Sequence, residues 1–474
     1  MASRPVLILP RLAKQLVLPA QRLFSTVHHV AGDPESGFEF TINPVLFSSH
    51  PVEAEEPYWR KVPKWQEITT RQFLNHKWQM AQSVQSEKAL CELMQSVLPS
   101  IIPPQNDMAP HLRITDIHTT EQFIQRVQEG IKKAPMAVRL SPHILSVINW
   151  QDPLNDPVRR QFIPLSTPLN VDHPASDLDP MHESKYSPVP GLIHRYPDRA
   201  LFMGTETESV KKQRFLPILK KWEPRFQYIE NTPSLKDVVI SGGDSYLLEP
   251  AQLKYIGERL LNIPHIRRFR FATKGLAVSP SRLLDPENDW VSTVIELEHK
   301  ARRMGKHICL HTHFNTVNEI SWVTRRGAQR LYEAGVTVRN QSVLLNGVNN
   351  TPERMCALVH ALGDINIQPY YVYQGDIVPG AEDLRTPMSD SLALERAVRG
   401  QIAGFLIPQF ILDLPAEGGK RLTRGLESYD RHIGLSKLTA PGLKGEPTTM
   451  EYWDPLWSLS EEGRHEVLQR FGKL

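Results

Sequence analysis

From residue 199 onward the chain alternates short β-rich runs with amphipathic helical stretches, and this alternation most narrows the folds open to it. The runs are "ALFMG" (200–204), "DVVISGG" (237–243), "RRFRFAT" (267–273), "HICLHTHF" (307–314), "TVRNQSVLL" (337–345), "QPYYVYQGD" (368–376) and "QFILDL" (409–414). Between them apolar residues recur at helical spacing, as in Phe215, Ile218, Leu219 and Trp222, and again in Leu253, Ile256 and Leu260. "TPERMCALVHALG" has Thr351 as a cap, Pro352 at the first helical position and a stop at Gly363. Repeated β-then-α over this length predicts an α/β fold with a parallel sheet, open or closed into a barrel. Active residues of such folds sit at the C-terminal ends of the strands.

Upstream the texture differs. Trp65 to Leu98 and Thr119 to Lys132 read as helices, and 151–195 holds too much Pro, Asp and Asn for regular structure. The expected organisation is a helical and loop extension over 30–195, a barrel over 196–415, and a C-terminal segment over 416–474. The first 29 residues carry Arg4, Arg11, Lys14 and Arg22 among apolar residues, and the first acidic residue is Asp33. That profile predicts a mitochondrial transit peptide, with "RLFS" (22–25) as a processing point and a cytosolic tail as the alternative. A net charge of +3 spread along the chain points to no nucleic-acid partner, and no apolar run approaches a membrane span. The three cysteines, Cys91, Cys309 and Cys356, form no CxxC element, so neither a disulfide framework nor a local cysteine-built metal site is expected.

The strand ends hold the candidate chemistry. "SGGD" places Ser241, Gly242, Gly243 and Asp244 where backbone can approach a ligand and a carboxylate can accept from an amine or a hydroxyl; a tight βα turn explains the same residues. His307, Cys309, His311 and His313 share one parity, with Ile308, Leu310, Thr312 and Phe314 on the other. The stripe could bind a metal, but side chains bonded to one another across a lumen are the favoured reading, with His311 and His313 near its mouth. Asp376 and Asp413 end two later strands and suit an ammonium group; a cap or a salt bridge accounts for them equally. Lys420 follows Gly418-Gly419 in what reads as a flexible loop, where an amine could join an aldehyde cofactor or simply be solvated. Arg195 and Arg199 flank a strand entry and could hold a phosphate or make a structural ion pair.

Taken together the chain resembles the lysine 2,3-aminomutase family from about Trp65 to about Pro441. The specific words are "DPLNDPVRRQ" (152–161), "SKYSPVPGLIHRYPDRAL" (184–201), "SGGD", "HTHFN" (311–315), "VRNQSVLLNGVN" (338–349), "PYYVYQGD" (369–376) and "GGK" (418–420). The resemblance implies an incomplete (β/α) barrel of the radical S-adenosylmethionine type. It also implies a [4Fe–4S] cluster, S-adenosylmethionine and pyridoxal phosphate as cofactors, and conversion of L-lysine to β-lysine by a radical amino shift. By resemblance Lys420 is the Schiff-base lysine, Asp376 and Asp413 hold the substrate ammonium, and Arg195 and Arg199 bind cofactor phosphate. The SGGD run and Gln341 line the S-adenosylmethionine side, and His311 and His313 are further cofactor-binding residues. A homo-oligomer is expected.

Two departures are small: Ala416-Glu417 where the family has glycines, and Thr316-Val317 in place of His-Pro. One is large. In the family a CxxxCxxC loop follows the first barrel strand and supplies the cluster ligands and an arginine for the substrate carboxylate. Here Thr205 runs straight into "ETESVKKQRF", with Thr205 and Glu208 spaced as a capping box. A cluster of this type needs three converging thiolates, so the chain is expected not to generate the radical. A missing loop admits three origins: a splice form or mis-joined gene model, a pseudoenzyme that still binds pyridoxal phosphate, or a non-catalytic subunit beside an intact homologue. An intact parent acting on a protein-bound lysine is a further alternative, although the paired aspartates favour the free amino acid.

Overall fold

The computed structural model describes residues 55–473 except 107, 110–111, 135–136, 168, 170, 206–214, 416–417 and 441–446. The transit-peptide segment, the Thr205–Glu208 capping box and Ala416-Glu417 therefore fall on or run into residues outside the described set, as do the side chains of 215–219.

Nine strands form one sheet in chain order. They are β1 (Leu192–Tyr196), β2 (Arg199–Met203), β3 (Asp237–Ser241), β4 (Arg268–Ala272), β5 (His307–Thr312), β6 (Thr337–Val343), β7 (Gln368–Tyr373), β8 (Gln409–Leu414) and β9 (Gly419–Leu422). Strands β2 to β8 are parallel neighbours, and antiparallel hairpins add β1 at one edge and β9 at the other. The sheet curls into a half-barrel, consistent with an incomplete barrel of the expected type. All seven expected runs are strands. Strands β1 and β9 are additions: β1 lies inside what reads as the N-terminal extension, and β9 replaces the flexible glycine loop.

Strand parity divides the side chains. Phe202, Ile240, Phe271, Ile308 and Leu310 point outward into the main core, where they meet Trp222, Phe226, Leu253 and Trp290 from the flanking helices. The rings of Phe202 and Phe226 lie 5.0 Å apart, and burying each such side chain contributes roughly 1.5–3 kcal/mol. The opposite parity faces the lumen and carries the polar and charged residues.

The crossover helices form where apolar spacing and caps coincide. In Pro250–Asn262, Leu253, Ile256 and Leu260 are buried. Thr351 caps Pro352–Asp364 as expected, but the helix runs past Gly363. Gly363 is small because a Cβ there would approach Leu406, and Asn366 takes the left-handed turn instead.

Upstream, Glu87–Val97 and Thr120–Lys133 share a core with Trp59, Trp65, Phe73 and Phe123, and Thr119 closes a capping box with Gln122. Strands β10 (Ser428–Asp430), β11 (Leu435–Thr439) and β12 (Thr449–Trp453) form a separate antiparallel sheet. No helix among the described residues is long and apolar enough to cross a membrane.

Candidate active site

The lumen side chains enclose a cavity of about 240 Å³. Its walls include Arg195, Arg199, His311, Gln341, Asp413 and Lys420, so six of the expected residues meet in one place. The hairpin β8–β9 makes the central contact. Asp413 and Lys420 are directly opposed in its register, and Lys420 Nζ donates to Asp413 Oδ2. The glycines before Lys420 build the turn. Gly418 N–H donates to Pro415 C=O at 2.8 Å, and Gly419 has a φ of +69°, a conformation glycine adopts without steric cost.

Arg195, on the opposite edge strand, donates from Nη1 to Asp413 Oδ1 at 3.0 Å and from Nη2 to the Leu414 carbonyl. This contact spans the open side of the half-barrel. Arg199 lies over the Tyr196 ring at 4.0 Å, and Lys420 Nζ sits 5.8 Å from the same ring and 5.3 Å from that of Tyr373. Burial pushes the Tyr196 hydroxyl up to about 12, followed by the Asp413 charge.

Tyr373 Oη donates to Gln341 Oε1 at 3.3 Å, which orients the amide so that its Nε2 donates to His311 Nδ1 at 2.7 Å. The imidazole proton then sits on Nε2. Burial, with Arg270 and Arg339 nearby, lowers the His311 pKa to about 3, so the ring is neutral.

The other expected residues lie elsewhere. His313 is past the end of β5 and meets Asn315 at 3.0 Å. Asp244 is committed to the fold: Oδ1 accepts from Tyr246 N–H at 2.7 Å and Oδ2 from Lys274 N–H at 2.9 Å. Gly242, at φ +86°, packs against Met203 and Thr205, and the Thr205 hydroxyl donates to its carbonyl. Asp376 lines a neighbouring cavity, also about 240 Å³, which shares Asp413 as a wall. It is exposed toward that cavity, yet the surrounding protein pushes its carboxyl up to about 6, desolvation first and the Asp413 charge second.

No family model matches the chain. The L-lysine 2,3-aminomutase of Clostridium subterminale is 38% identical over 362 residues, which is 73% of this chain and 82% of that protein. That of Acetoanaerobium sticklandii is 38% identical over 356 residues, covering 72% and 82%. The chain belongs to the lysine 2,3-aminomutase family. A glutamate 2,3-aminomutase from Clostridioides difficile is also similar, 30% identical over 330 residues, covering 65% and 74%.

The residues present suit the two cofactors implied for a lysine 2,3-aminomutase relative unequally. Pyridoxal phosphate needs an amine, aromatic or apolar walls and anion donors. Lys420 and the tyrosines supply the first two. Arg199 Nε, Arg270 Nε and His311 Nε2 are buried nitrogens on the same cavity without a hydrogen-bond partner, Asp198 being 3.8 Å from Arg199 Nε. This set fits. A [4Fe–4S] cluster does not: Cys91 lies in the N-terminal core, Cys356 on the helix Pro352–Asp364, and Cys309 alone on the lumen parity of β5. Among the described residues no three His, Cys, Asp or Glu side chains group as metal ligands.

Arg270, Tyr196, Tyr371 and Tyr373 line the cavity but escape a strand-end search. Their signal is parity: Arg268 and Arg270, like Tyr371 and Tyr373, alternate with apolar residues, which marks a lumen face rather than an exposed one.

Proposed function

We propose that this chain carries an aminomutase-type site that joins pyridoxal phosphate at Lys420 and takes a cationic amino acid, L-lysine, as its substrate. The observation that carries the reading is the Asp413–Lys420 pair, set in a lumen cavity and backed by a second cavity that holds Asp376. When bound, pyridoxal phosphate supplies an electron sink for chemistry at the amino-bearing carbon. Lys420 provides the attachment amine, and its contact with Asp413 orients that amine into the cavity. Arg199 and the neutral His311 N–H donate to an anionic group, and the Tyr196 and Tyr373 rings limit water around the amine. Asp376 and Asp413 present negative charge where a side-chain ammonium can reach it. A glutamate carboxylate would meet repulsion there, which favours lysine over glutamate.

With no convergent thiolates there is no ligand set for the cluster that starts the radical reaction. We therefore infer that the chain as it stands binds cofactor and amino acid without turning lysine over.

The test is spectroscopic. Addition of pyridoxal phosphate should produce a visible absorption band distinct from that of the free aldehyde, and Lys420→Ala should abolish it. A band of equal strength in Lys420→Ala, or none in the unsubstituted protein, refutes the assignment.

A further inference from the structure

We propose that Asp413 is a shared counter-ion whose exchangeable oxygen is occupied by the protein's own Lys420 until that lysine is taken up by a cofactor, so that cation binding at Asp413 is conditional on cofactor loading. The occasion for Lys420 to leave rests on the reading of the site given above; the competition itself does not.

The geometry separates the two oxygens of Asp413. Oδ1 is held by Arg195 at 3.0 Å, and Arg195 is itself tied to the Leu414 carbonyl. The carboxylate is thus pinned from the far edge of the sheet and cannot turn freely. Oδ2 faces the other way, and Lys420 reaches it from the directly opposed position on β9. Asp413 also walls both cavities, and Asp376 in the second has no ion-pair partner among the described residues. A ligand ammonium entering beside Asp376 therefore competes with Lys420 for Asp413.

Occupancy gives the direction. Arg195 takes Asp413 Oδ1 and Lys420 takes Oδ2, so an incoming ammonium reaches Asp413 only by displacing Lys420. A carbonyl cofactor removes Lys420 from that oxygen. The lysine ammonium and an aldehyde form a C=N bond, two nitrogen-bound hydrogens leave with the aldehyde oxygen as water, and the nitrogen keeps its positive charge on one N–H, or loses both when that last proton passes to solvent. It is then directed at the carbonyl carbon and no longer at Asp413. Cofactor first and amino acid second becomes a property of the hairpin.

The experiment needs no cofactor. Cofactor-free protein, verified by its lack of visible absorption, is titrated with L-lysine in a calorimeter. Lys420→Ala is expected to bind L-lysine about tenfold more tightly than the unsubstituted protein, the equivalent of one freed charge-assisted hydrogen bond. Adding Asp413→Asn should cancel the gain. Lys420→Met, which keeps the stem volume against Tyr196 and Tyr373, is measured in parallel in case truncation loosens β9. If both Lys420 variants bind L-lysine no better than the unsubstituted protein, Lys420 is not a competitor and the proposal fails. Failure of the cofactor assignment would show separately, as a missing absorption band with the lysine competition intact.

Discussion

Asp237 at the start of β3 and Arg270 in the middle of β4 form a 3.1 Å ion pair across the lumen floor, each side chain 13% exposed. Burial raises the Asp237 pKa, and the Arg270 charge, then Arg268 and Arg199, pull it back. Removing the arginine leaves a largely desolvated carboxylate facing other groups. Arg270→Ala should therefore destabilise the protein by about 3–5 kcal/mol, measured by urea denaturation. Arg270→Met combined with Asp237→Leu should recover most of that loss, and a double variant no more stable than the single would show that the pair itself matters little.

Acid should weaken the fold before the carboxylates titrate. His311 and His143 have pKa values lowered to about 3, and His173 and His76 to about 4, burial leading in each case. Between the ordinary value of 6.5 and these, the unfolded chain takes up protons that the folded protein refuses. Stability therefore falls as pH falls through 6.5, by roughly 2 kcal/mol at pH 5 for one such histidine. Melting temperatures from pH 7 to pH 5 should decline, and His311→Gln should flatten the slope. An unchanged slope would place His311 outside this linkage.

The SGG turn should tolerate no side chain. A Cβ on Gly242 would lie 2.7 Å from Met203 Cα and the Thr205 carbonyl oxygen, at a φ of +86°. Gly305 also has positive φ, +64°, but open space around it. Gly305→Ala should cost about 1 kcal/mol, the conformational penalty alone, and Gly242→Ala distinctly more. Equal melting temperatures for the two variants would contradict the packing.

Reconstitution with iron and sulfide, reduction, and low-temperature electron paramagnetic resonance should show no [4Fe–4S]⁺ signal in this chain, and incubation with S-adenosylmethionine should leave it uncleaved. A cluster signal accompanied by cleavage would overturn the inference drawn from Cys91, Cys309 and Cys356.

The parallel strands were legible because each is buried on one face against helices and so writes a short apolar run, "DVVIS" or "HICL". Strands β1 and β9 were not. "LIHRY" and "GKRL" are short, charged and at the edges, and they pair by hairpin register, which composition does not encode. The same gap limited the site. Asp413, Lys420 and Arg195 each stood out singly, but their mutual contact depends on two edge strands that the pattern did not reveal. Arg195 reads as a phosphate ligand or a structural ion pair, and the partner it has here is Asp413. Asp244 reads as a ligand-facing carboxylate or as part of a tight turn, and two backbone amides hold it in the turn.

The two bonds to Asp413 differ greatly in the length of chain they close. Lys420 is seven residues away along the backbone, and Arg195 is 218. The first is a local loop whose closure has a small entropic cost; the second waits until the two ends of the sheet are brought together. In refolding, the lysine–carboxylate contact can thus arise within an isolated hairpin, while the arginine contact reports that the barrel has rounded. A probe placed at Arg195 would time the last step of assembly, and one placed at Lys420 an early one.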